Sequence, residues 1–597
     1  MSDIFSYVQE QEAGYKQPIY LDEQWSWSMR EHIRRSYLYK NTQFFDKNSD
    51  RKLKPFINIV RPILNIHYRT EGFDVKDIEI YVDNVETYYK SFLVKKFHDK
   101  WALENMMDTF LDDLVESYVD YGGVLVKNVN TIRPEVVDLR TLAFCDQTDL
   151  MGSPFAIKHY YRPEDLMKEE KRGWGDTNKG ATISLENLVA KAEAHKDVLS
   201  KDLKNKTPGQ YLEVYELHNC SESDYVAGGE TATYMTILAF YKDESGKQNG
   251  VILYKSKEPK DMFKFLKRDN VQGRALGFGA IEELFEAQRW TNFTEIVELQ
   301  MLQQASKILY LSDDPKFKGQ NLSGKKMGEV LNLQENRTVQ KLDSTPRSIN
   351  SFENRGERYK QHASEMGAAS DLFLGQQPTA GTPFKSVESQ LIEGKSLHLW
   401  RQGRIAVFVD EIYRDWIIPH IGKEVSKGTK FLSELSMEEV RTVADRVMDK
   451  YANDWVKKRI LSGKIVYPFE VQSVRQMAEE TVLKLGNKRF IEIMKGEFEK
   501  EKLDVRTNIA GKQKNLALLT DKLVNVIRQF IATPEIRQDE GMVRLLNQTL
   551  EASGLSPLQY FPRTQPVASE EGAQSTEGLK QLGASAQKQG RMQTTGV

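Results

Sequence analysis

Residues 277–308 read GFGAIEELFEAQRWTNFTEIVELQMLQQASKI and hold the clearest long helical pattern in the chain. Gly277 and Gly279 precede the helix, and the helix itself contains no proline. Apolar residues recur at helical spacing, namely Ile281, Leu284, Phe285, Ile296, Val297, Leu299 and Leu302. The 28 residues from 281 to 308 would span about 42 Å. A helix of that length is unusual in a globular protein, so the other elements are assigned relative to it.

The sequence after this helix predicts a second helix that runs back antiparallel to it. Two short β-like pieces occur at 308–311 and 339–342. A second helix is predicted from about 349 to 373, and a third from Phe384 to about Ile418, where Pro419 is expected to end it. The pattern predicts two antiparallel helices joined at one end by a small sheet.

The N-terminal part changes character at Gly122-Gly123. Before it, residues 1–120 are predicted mainly helical, with an extended piece ending near Val75 and helix over 81–119. After it, strands are predicted at 155–161, 211–218, 232–241 and 250–255. A charged helical insert over about 163–205 separates them, and Tyr211–His218 alternates like a half-buried strand.

The C-terminal part is predicted to be helical over 431–500, with breaks at Gly463 and Pro468. A strand follows at 503–509, then helix over 513–555. Residues 562–597 are rich in Gln, Ser, Gly, Ala and Thr, which predicts disorder. Taken together, these patterns predict an α+β fold that is mainly α.

Composition limits the classes of function. The chain has 597 residues, 40% hydrophobic and 28% charged, enough for about two to four core regions. Its net charge is −2, without the cation surplus that gripping nucleic-acid phosphate requires. Cys145 and Cys220 are expected to be buried free thiols, because two cysteines provide no disulfide framework. No secretory signal or membrane-spanning run is apparent.

Motifs that could carry catalysis are incomplete. Gly277-Phe278-Gly279 starts like a nucleotide-binding loop, but Glu282 stands where its third glycine belongs. The stretch from Gly381 to Ser386 echoes a P-loop, yet Pro383-Phe384 interrupts the glycine-lysine step. The nine histidines show no ligand spacing, and the acid pairs at 112–113 and 313–314 suit solvated faces. The sequence predicts no enzyme, no metal site and no cofactor.

Several local motifs resemble one family when they are taken in order. They are Asn58 to Ile63, Asp120 to Gly123 with Pro134 to Arg140, Gly277 to Glu282, and Asp504 to Asn515. Together with the order of elements over about residues 20–560, they resemble the portal proteins of tailed double-stranded DNA bacteriophages. No single motif is diagnostic; the resemblance lies in their order.

The resemblance implies a division of the chain into parts. These are an N-terminal wing (1–276), a stem helix (277–308), a clip (309–345), a second stem helix (346–374), a tunnel loop (375–384), a tunnel helix (385–420), a C-terminal wing (421–510), a crown (511–561) and a disordered tail (562–597). No catalytic residue can be transferred, because the family has none.

Two sites follow from the same resemblance. The tunnel loop, which is small and uncharged from Gly375 to Phe384, would line the channel with Gln376, Gln377, Pro378, Thr379, Ala380, Gly381 and Thr382, and with Lys385 at its edge. The clip would meet partners through Lys316, Lys318, Lys325, Lys326 and Arg337. The alternative for the tunnel loop is an ordinary connection between two helices. The alternative for the clip is a solvated loop.

The function implied is architectural. The family forms a twelve-subunit ring at one capsid vertex, which passes double-stranded DNA without sequence specificity. Expected partners are the major capsid protein, a scaffolding protein, the large subunit of the terminase and a head-tail adaptor or neck protein, with no membrane. The protein would be assembled in the host cytoplasm and reside in the virion. Alternatives are another structural head or neck protein, or a nucleic-acid-processing packaging enzyme.

Overall fold

The computed structural model describes residues 3–44, 56–82, 97–129, 133–194, 212–226, 228–242, 248–305, 309–313, 315, 335–342, 349–368, 384–421, 452–477 and 503–507. All of them belong to the first of the two units into which the chain divides, Met1–Lys514. Both secondary-structure types contribute, so the mixed character expected from the sequence is confirmed. The predicted helix at 513–555 and the predicted disordered tail lie outside the described residues.

The N-terminal elements alternate between helices and short strands. In chain order they are α1 (Ile4–Tyr15), β1 (Ile19–Asp22), β2 (Trp25–Trp27), α2 (Met29–Lys40), α3 (Val60–Glu71), β3 (Ile78–Val82), α4 (97–104), α5 (Met107–Tyr121), β4 (Gly123–Lys127), β5 (Glu135–Val137) and β6 (Leu142–Phe144). Phe110, Leu111 and Leu114 give α5 a buried face, and Gly122 ends it at φ 78°. Glycine adopts that left-handed conformation without steric cost.

The elements that follow are mostly the strands predicted from the sequence. They are β7 (Phe155–Tyr161), α6 (Pro163–Lys168), α7 (Leu185–Ala194), β8 (Leu212–Ser221), β9 (Thr233–Lys242), β10 (Gln248–Lys257) and β11 (Phe263–Lys267). Strands β10, β9, β8, β7 and β6 form one antiparallel sheet in that order, and β11, β4 and β5 form a second. The four predicted strands are thereby confirmed within a few residues.

Strand β8 differs from its prediction, because it is buried on both faces. Tyr215 and Leu217 point into a core shared with α1 and α2, whereas Leu212 and Val214 point into a core formed with α6 and α7. The sheet is thus the middle of three layers, and alternation on one strand does not reveal a second covering layer. A third core joins α3, α5 and the long helices described below.

Histidine 218 in β8 predicts a pH-dependent stability of this sheet. Its ring is buried, with Nδ1 2.8 Å from Glu258 Oε1 and Nε2 3.2 Å from Glu216 Oε1. Burial alone would lower the pKa of His218, but the two carboxylates outweigh it and raise the pKa. A raised folded pKa contributes stability that is complete below the unfolded value of about 6.5 and is lost as pH rises through the folded value.

Replacing His218 with glutamine should therefore lower the thermal unfolding midpoint more at about pH 5.5 than at about pH 8.5. Calorimetry of both proteins at both pH values measures the difference. An equal loss at the two pH values would show that the ring matters through packing alone, against Phe155 and Phe263.

The long-helix region has the predicted order. It contains α8 (Ala280–Glu283), α9 (Phe285–Ala305), β12 (Leu309–Ser312), β13 (Val339–Leu342), α10 (Ile349–Met366) and α11 (Phe384–Ile412). The single helix predicted over 281–308 is wrong in one respect, because Leu284 separates α8 from α9. Within the described residues, no helix is long and apolar enough to cross a bilayer.

Helix α11 continues beyond the predicted stop at Pro419. Residues Tyr413–Ile417 form a π-helical turn, in which the N–H of Ile418 donates to the Tyr413 carbonyl, and helix resumes to 421. Proline cannot donate a backbone hydrogen bond and crowds the carbonyl four residues earlier. A wider turn before Pro419 is a way to accommodate that crowding, so the prediction of a helix end was wrong.

Within the part predicted to be mainly helical, Trp25–Trp27 is a strand paired with β1. Two other N-terminal predictions are wrong. Residues 81 and 82 belong to strand β3, not to a helix. The piece predicted as extended up to Val75 contains α3, in which Pro62 lies in the first turn, where the missing N–H has no intrahelical partner to lose.

The C-terminal described segments follow their predictions. Helices α12 (452–461) and α13 (468–477) flank the break at Gly463 and Pro468. Strand β14 (Leu503–Thr507) pairs antiparallel with β3, which brings residues more than 400 positions apart into one ladder. The predicted thiols Cys145 and Cys220 are buried.

Candidate functional site: a helical hairpin on a buried ionic base

Helices α9 and α10 form an antiparallel hairpin. The Trp290 ring stacks on the Tyr359 ring, with centroids 6.4 Å apart and 20° between planes. Thr294 lies against Gly356, so a later position on α9 meets an earlier one on α10. At 1.5 Å per residue the 21 residues of α9 extend about 31 Å.

A two-stranded ladder closes the far end of the hairpin. Strands β12 and β13 pair antiparallel, from Leu309 opposite Leu342 to Ser312 opposite Val339. Beyond the ladder, Arg337 is exposed, and its guanidinium donates to the Asp313 carbonyl at 2.6 Å. The N–H of Thr338 donates to Asp313 Oδ1 at 2.8 Å. These bonds link the start of β13 to the end of β12.

The end of the hairpin opposite the ladder begins where the backbone at Gly122 passes close to the backbone at Gly277 and Gly279. A Cβ on Gly277 would come within 2.5 Å of the Asp269 carbonyl oxygen, and one on Gly279 within 2.7 Å of the Asp120 oxygen. The N–H groups of Gly277 and Arg268 both donate to the Gly122 carbonyl, at 3.0 and 2.9 Å. The two glycine motifs noted in the sequence therefore serve one close backbone crossing.

Two buried side chains fasten the first turns of the hairpin. Arg274 is fully buried and pairs with both Glu282 oxygens at 2.9 and 2.7 Å. The Gln288 amide accepts from the Ile59 N–H at 2.9 Å and donates to the Ile57 carbonyl at 2.6 Å. The N-terminal motif around Asn58 thus packs on the start of α9.

A cluster of buried and half-buried charges lies beside this crossing, and we call it the ionic base. Its acids are Glu71, Asp269 and Glu283; its bases are Arg268, Arg401, His67 and His398. Glu71 Oε1 lies 2.8 Å from His67 Nδ1, 3.1 Å from His398 Nδ1 and 3.3 Å from Arg268 Nη2. Arg401 reaches Asp269 at 2.6 Å and Glu283 at 3.1 Å. The base therefore joins α3, the segment after β11, α8 and α11.

Burial and charge fix the protonation of part of this base. Burial alone would raise the pKa of Glu71, but the charge of Arg268 and the hydrogen bonds from both histidines hold it well below its usual range. Burial lowers the pKa of His67 to about 4. Glu71 is therefore an anion and His67 is neutral near pH 7, which makes the base a network of ion pairs.

Three residues of the ionic base are of the types that bind metal ions, but the positive charge beside them does not suit a metal site. Ligand atoms of His67, Glu71 and His398 lie within 4.8 Å of one another. However, Arg268 Nη2 is 3.3 Å from both His67 Nδ1 and Glu71 Oε1, so a guanidinium already occupies the position of a cation. A metal ion there would have to displace Arg268, which is fully buried. We therefore assign these residues to an ion-pair network.

Apolar side chains remain exposed on two helices of this region. On α9 they are Trp290, Phe293, Leu299 and Leu302; on α11 they are Leu397, Leu399, Trp400 and Val407. Phe293 is 53% exposed and Val407 is 60% exposed. The opposite side of α11 is buried, with Ile405, Val409 and Ile412 in the core. A helix that is apolar on both sides indicates a second covering surface.

The structure describes few of the site residues predicted from the sequence. Gln376, Gln377, Pro378, Thr379, Ala380, Gly381 and Thr382 lie outside the described residues, as do Lys316, Lys318, Lys325 and Lys326. Lys385 lies in the first turn of α11, and only its backbone is described. Arg337 lies beyond the ladder, as described above. The ionic base was missed, although His67 and Glu71 stand four residues apart on one helix face, which was its one local signal.

Comparisons with known proteins add little to this geometry. No protein-family model matches the sequence, and no curated protein does. Among solved structures, the chain is similar to one described as the neck of an empty GTA particle computed with C6 symmetry. That similarity covers 76% of this chain and 97% of the other at 8% identity, with a TM-score of 0.33. A similarity this distant assigns neither a family nor a function.

Proposed function

We propose that this chain is a portal protein, a ring subunit through which double-stranded DNA enters and leaves the capsid of a tailed bacteriophage. The main support is the helical hairpin, closed by its own small ladder and connected to a third long helix above a buried ionic base. In the proposed ring, hairpins of neighbouring copies stand side by side around the DNA. The sequence resemblance predicts the same arrangement.

The two exposed apolar faces support self-association in particular. Exposed apolar side chains lie on α9 and on α11, and we propose that Phe293 and Val407 belong to two different contact surfaces of each copy. Two different complementary surfaces produce a head-to-tail contact, which closes into a ring when the rotation permits. The occupant we propose for both faces is a neighbouring copy of this chain.

Net charge supports passage of DNA rather than tight binding. With a net charge of −2, the chain lacks the cation surplus that produces strong, salt-dependent affinity for phosphate. We propose that the ladder end, with Arg337, faces the packaging motor and later the neck adaptor, while the rest of the ring meets capsid and scaffolding proteins. The proposal gives the chain no catalytic role.

Substitution of the two faces should prevent ring formation without unfolding the chain. Phe293→Asp and Val407→Asp each place a charge in a surface that assembly would bury, at a cost repeated at every contact of the ring. Native mass spectrometry of the purified full chain should give a ring of about a dozen copies for the natural sequence and more than a tenfold lower ring fraction for either variant.

Tyr20→Asp is the matched control, since Tyr20 is 76% exposed on β1 and belongs to neither face. It should assemble like the natural chain. A monomeric natural protein under all assembly conditions would contradict the proposal, and so would full ring formation by both face variants. An open tube or a solid disc would favour a different structural protein of the head or neck. ATP hydrolysis by the pure chain would favour a packaging enzyme.

A further inference from the structure

Helices α12 and α13 present their apolar side chains outward. We call residues 452–477 the basic helix pair, and within it no residue from 453 to 477 is buried. The apolar side chains at its turn are exposed by 52–87%, and they are Ile460, Leu461, Ile465, Tyr467 and Phe469. Large apolar side chains gathered at the surface within so short a segment indicate that another molecule covers them.

The helix pair has a defined shape although its side chains are not buried. The Arg459 guanidinium lies 4.7 Å from the centroid of the Trp455 ring and donates to Glu470 at 2.9 Å. Glu470 also accepts from the Tyr467 N–H at 3.2 Å, and the Tyr467 and Phe469 rings stack with centroids 5.8 Å apart. These contacts join α12 to α13 across their turn. A surface that is shaped in advance loses less conformational entropy when a partner covers it.

The charge of the helix pair narrows the choice of partner. Its formal net charge is +3, from five cations and two acids: Lys457, Lys458, Arg459, Lys464 and Arg475 against Asp454 and Glu470. Protein interfaces combine an apolar centre with a polar rim, and the charges on the two sides are complementary. The surface that fits the helix pair is therefore acidic and has exposed apolar side chains of its own.

This chain carries a surface of that kind where α4 meets α5. Leu103 is 78% exposed and Met106 is 61% exposed. Arg133 donates to the Met106 carbonyl at 2.6 Å, and we call residues 99–113 together with Arg133 the acidic corner. Its formal net charge is −3, from two cations and five acids: Lys100 and Arg133 against Asp99, Glu104, Asp108, Asp112 and Asp113.

We propose that the basic helix pair of one copy docks on the acidic corner of a neighbouring copy. Within one chain the two surfaces do not cover each other, because Leu461 is 87% exposed and Leu103 is 78% exposed. Docking between copies would bury both apolar sites and bring charges of +3 and −3 together. Since the two surfaces differ, the contact is head-to-tail. It rests on the proposed function for its place in a ring, and it names a further contact of that ring.

Cross-linking of the assembled full-length chain tests this contact without any variant. Natural and ¹⁵N-labelled copies are mixed before assembly and treated with a carbodiimide, which joins an amine to a carboxylate without a spacer. Mass spectrometry should find mixed-isotope links from Lys458 or Lys464 to Asp99 or Glu104, whose side chains are all exposed. A mixed link can form only between copies. Mixed links from these lysines only to acids outside the acidic corner would overturn the proposal. The absence of mixed links would also overturn it, in favour of a different acidic protein as the occupant.

Charge reversal tests the same contact by rescue. Lys458→Glu with Lys464→Glu should weaken association about tenfold, and so should Asp99→Lys with Glu104→Lys, because like charges then meet. A chain with all four substitutions should associate within about threefold of the natural chain. Sedimentation velocity at low ionic strength measures association, since salt screens exposed charges. A four-substitution chain as weak as either pair would refute the docking.

The control and the cross-links separate this contact from the ring itself. Lys171→Glu with Lys179→Glu reverses two exposed lysines outside both surfaces and should leave association unchanged. A closed ring whose mixed links avoid the acidic corner would refute the docking and leave the proposed function intact. Mixed links between the helix pair and the acidic corner in an assembly that is not a ring would support the docking and contradict the proposed function.

Discussion

Replacing Gly277 with alanine is expected to destabilise the fold by about 3 kcal/mol or more, at the upper end of the range for overpacked sites. The added Cβ would lie 2.5 Å from the Asp269 carbonyl oxygen and 2.9 Å from the Gly122 oxygen. Both atoms belong to backbone that is hydrogen-bonded across the crossing, so neither can move without breaking that crossing. Urea denaturation followed by tryptophan fluorescence measures the loss.

Gly403 provides the matched control for this substitution. It lies inside α11, and an added Cβ there meets nothing within 4 Å. Gly403→Ala should therefore be neutral or stabilise by up to about 1 kcal/mol, because alanine is the better helix former. Equal effects of the two substitutions would refute the crossing as the reason for Gly277.

Replacing Glu71 with glutamine is expected to cost about 3–5 kcal/mol, the range found when one partner of a buried ion pair is removed. Glu71 is fully buried and lies 3.3 Å from Arg268, which is itself fully buried. The substitution keeps the shape of the side chain, removes its charge and replaces one acceptor oxygen by an amide N–H2 donor. Because the folded pKa of Glu71 is lowered, its contribution is complete above the unfolded pKa of about 4.3 and is lost as pH falls through the folded value.

The control for this change is Glu357→Gln on α10. Glu357 pairs with Lys360 at 3.0 Å, but its side chain is 75% exposed. Exposed pairs of this kind contribute about 0–1 kcal/mol. The two variants are compared by urea denaturation at neutral pH and near pH 3.5. A loss for Glu71→Gln no larger than that for Glu357→Gln would mean that the ionic base does not stabilise the fold.

Local sequence patterns predicted the helical hairpin because its information is local. Helical spacing in α9 and α11 and the short β-like pieces at the ladder can all be recognised within a few turns of chain. The misplaced elements failed for reasons of context. The piece predicted to be extended up to Val75 holds a helix with Pro62 in its first turn, and a π turn accommodates Pro419, which was expected to end α11.

The ionic base could not be predicted in the same way. Glu71 and Arg268 are 197 positions apart, and Glu71 and His398 are 327 apart. Only tertiary folding brings them together, and charged residues ordinarily predict solvent exposure. The close packing of Gly122 against Gly277 could not be predicted for the same reason, because each glycine pair taken alone predicts only a turn.

The base also explains how a long hairpin can be attached firmly to its core. Arg274 and Arg268 are among the largest fully buried side chains described, and both lie beside the first turn of the hairpin. Arg401 connects the same point to α11. In the proposed ring, this attachment would keep neighbouring hairpins at a constant angle while DNA passes through the central channel.

A cryo-electron microscopy reconstruction of the purified full-length chain is the most direct test of the central claim. The account predicts a closed ring of about a dozen copies with a central hole wide enough for a duplex, surrounded by hairpins made of α9 and α10. A compact monomer would contradict it, and so would any assembly in which α9 and α10 of one chain lie apart.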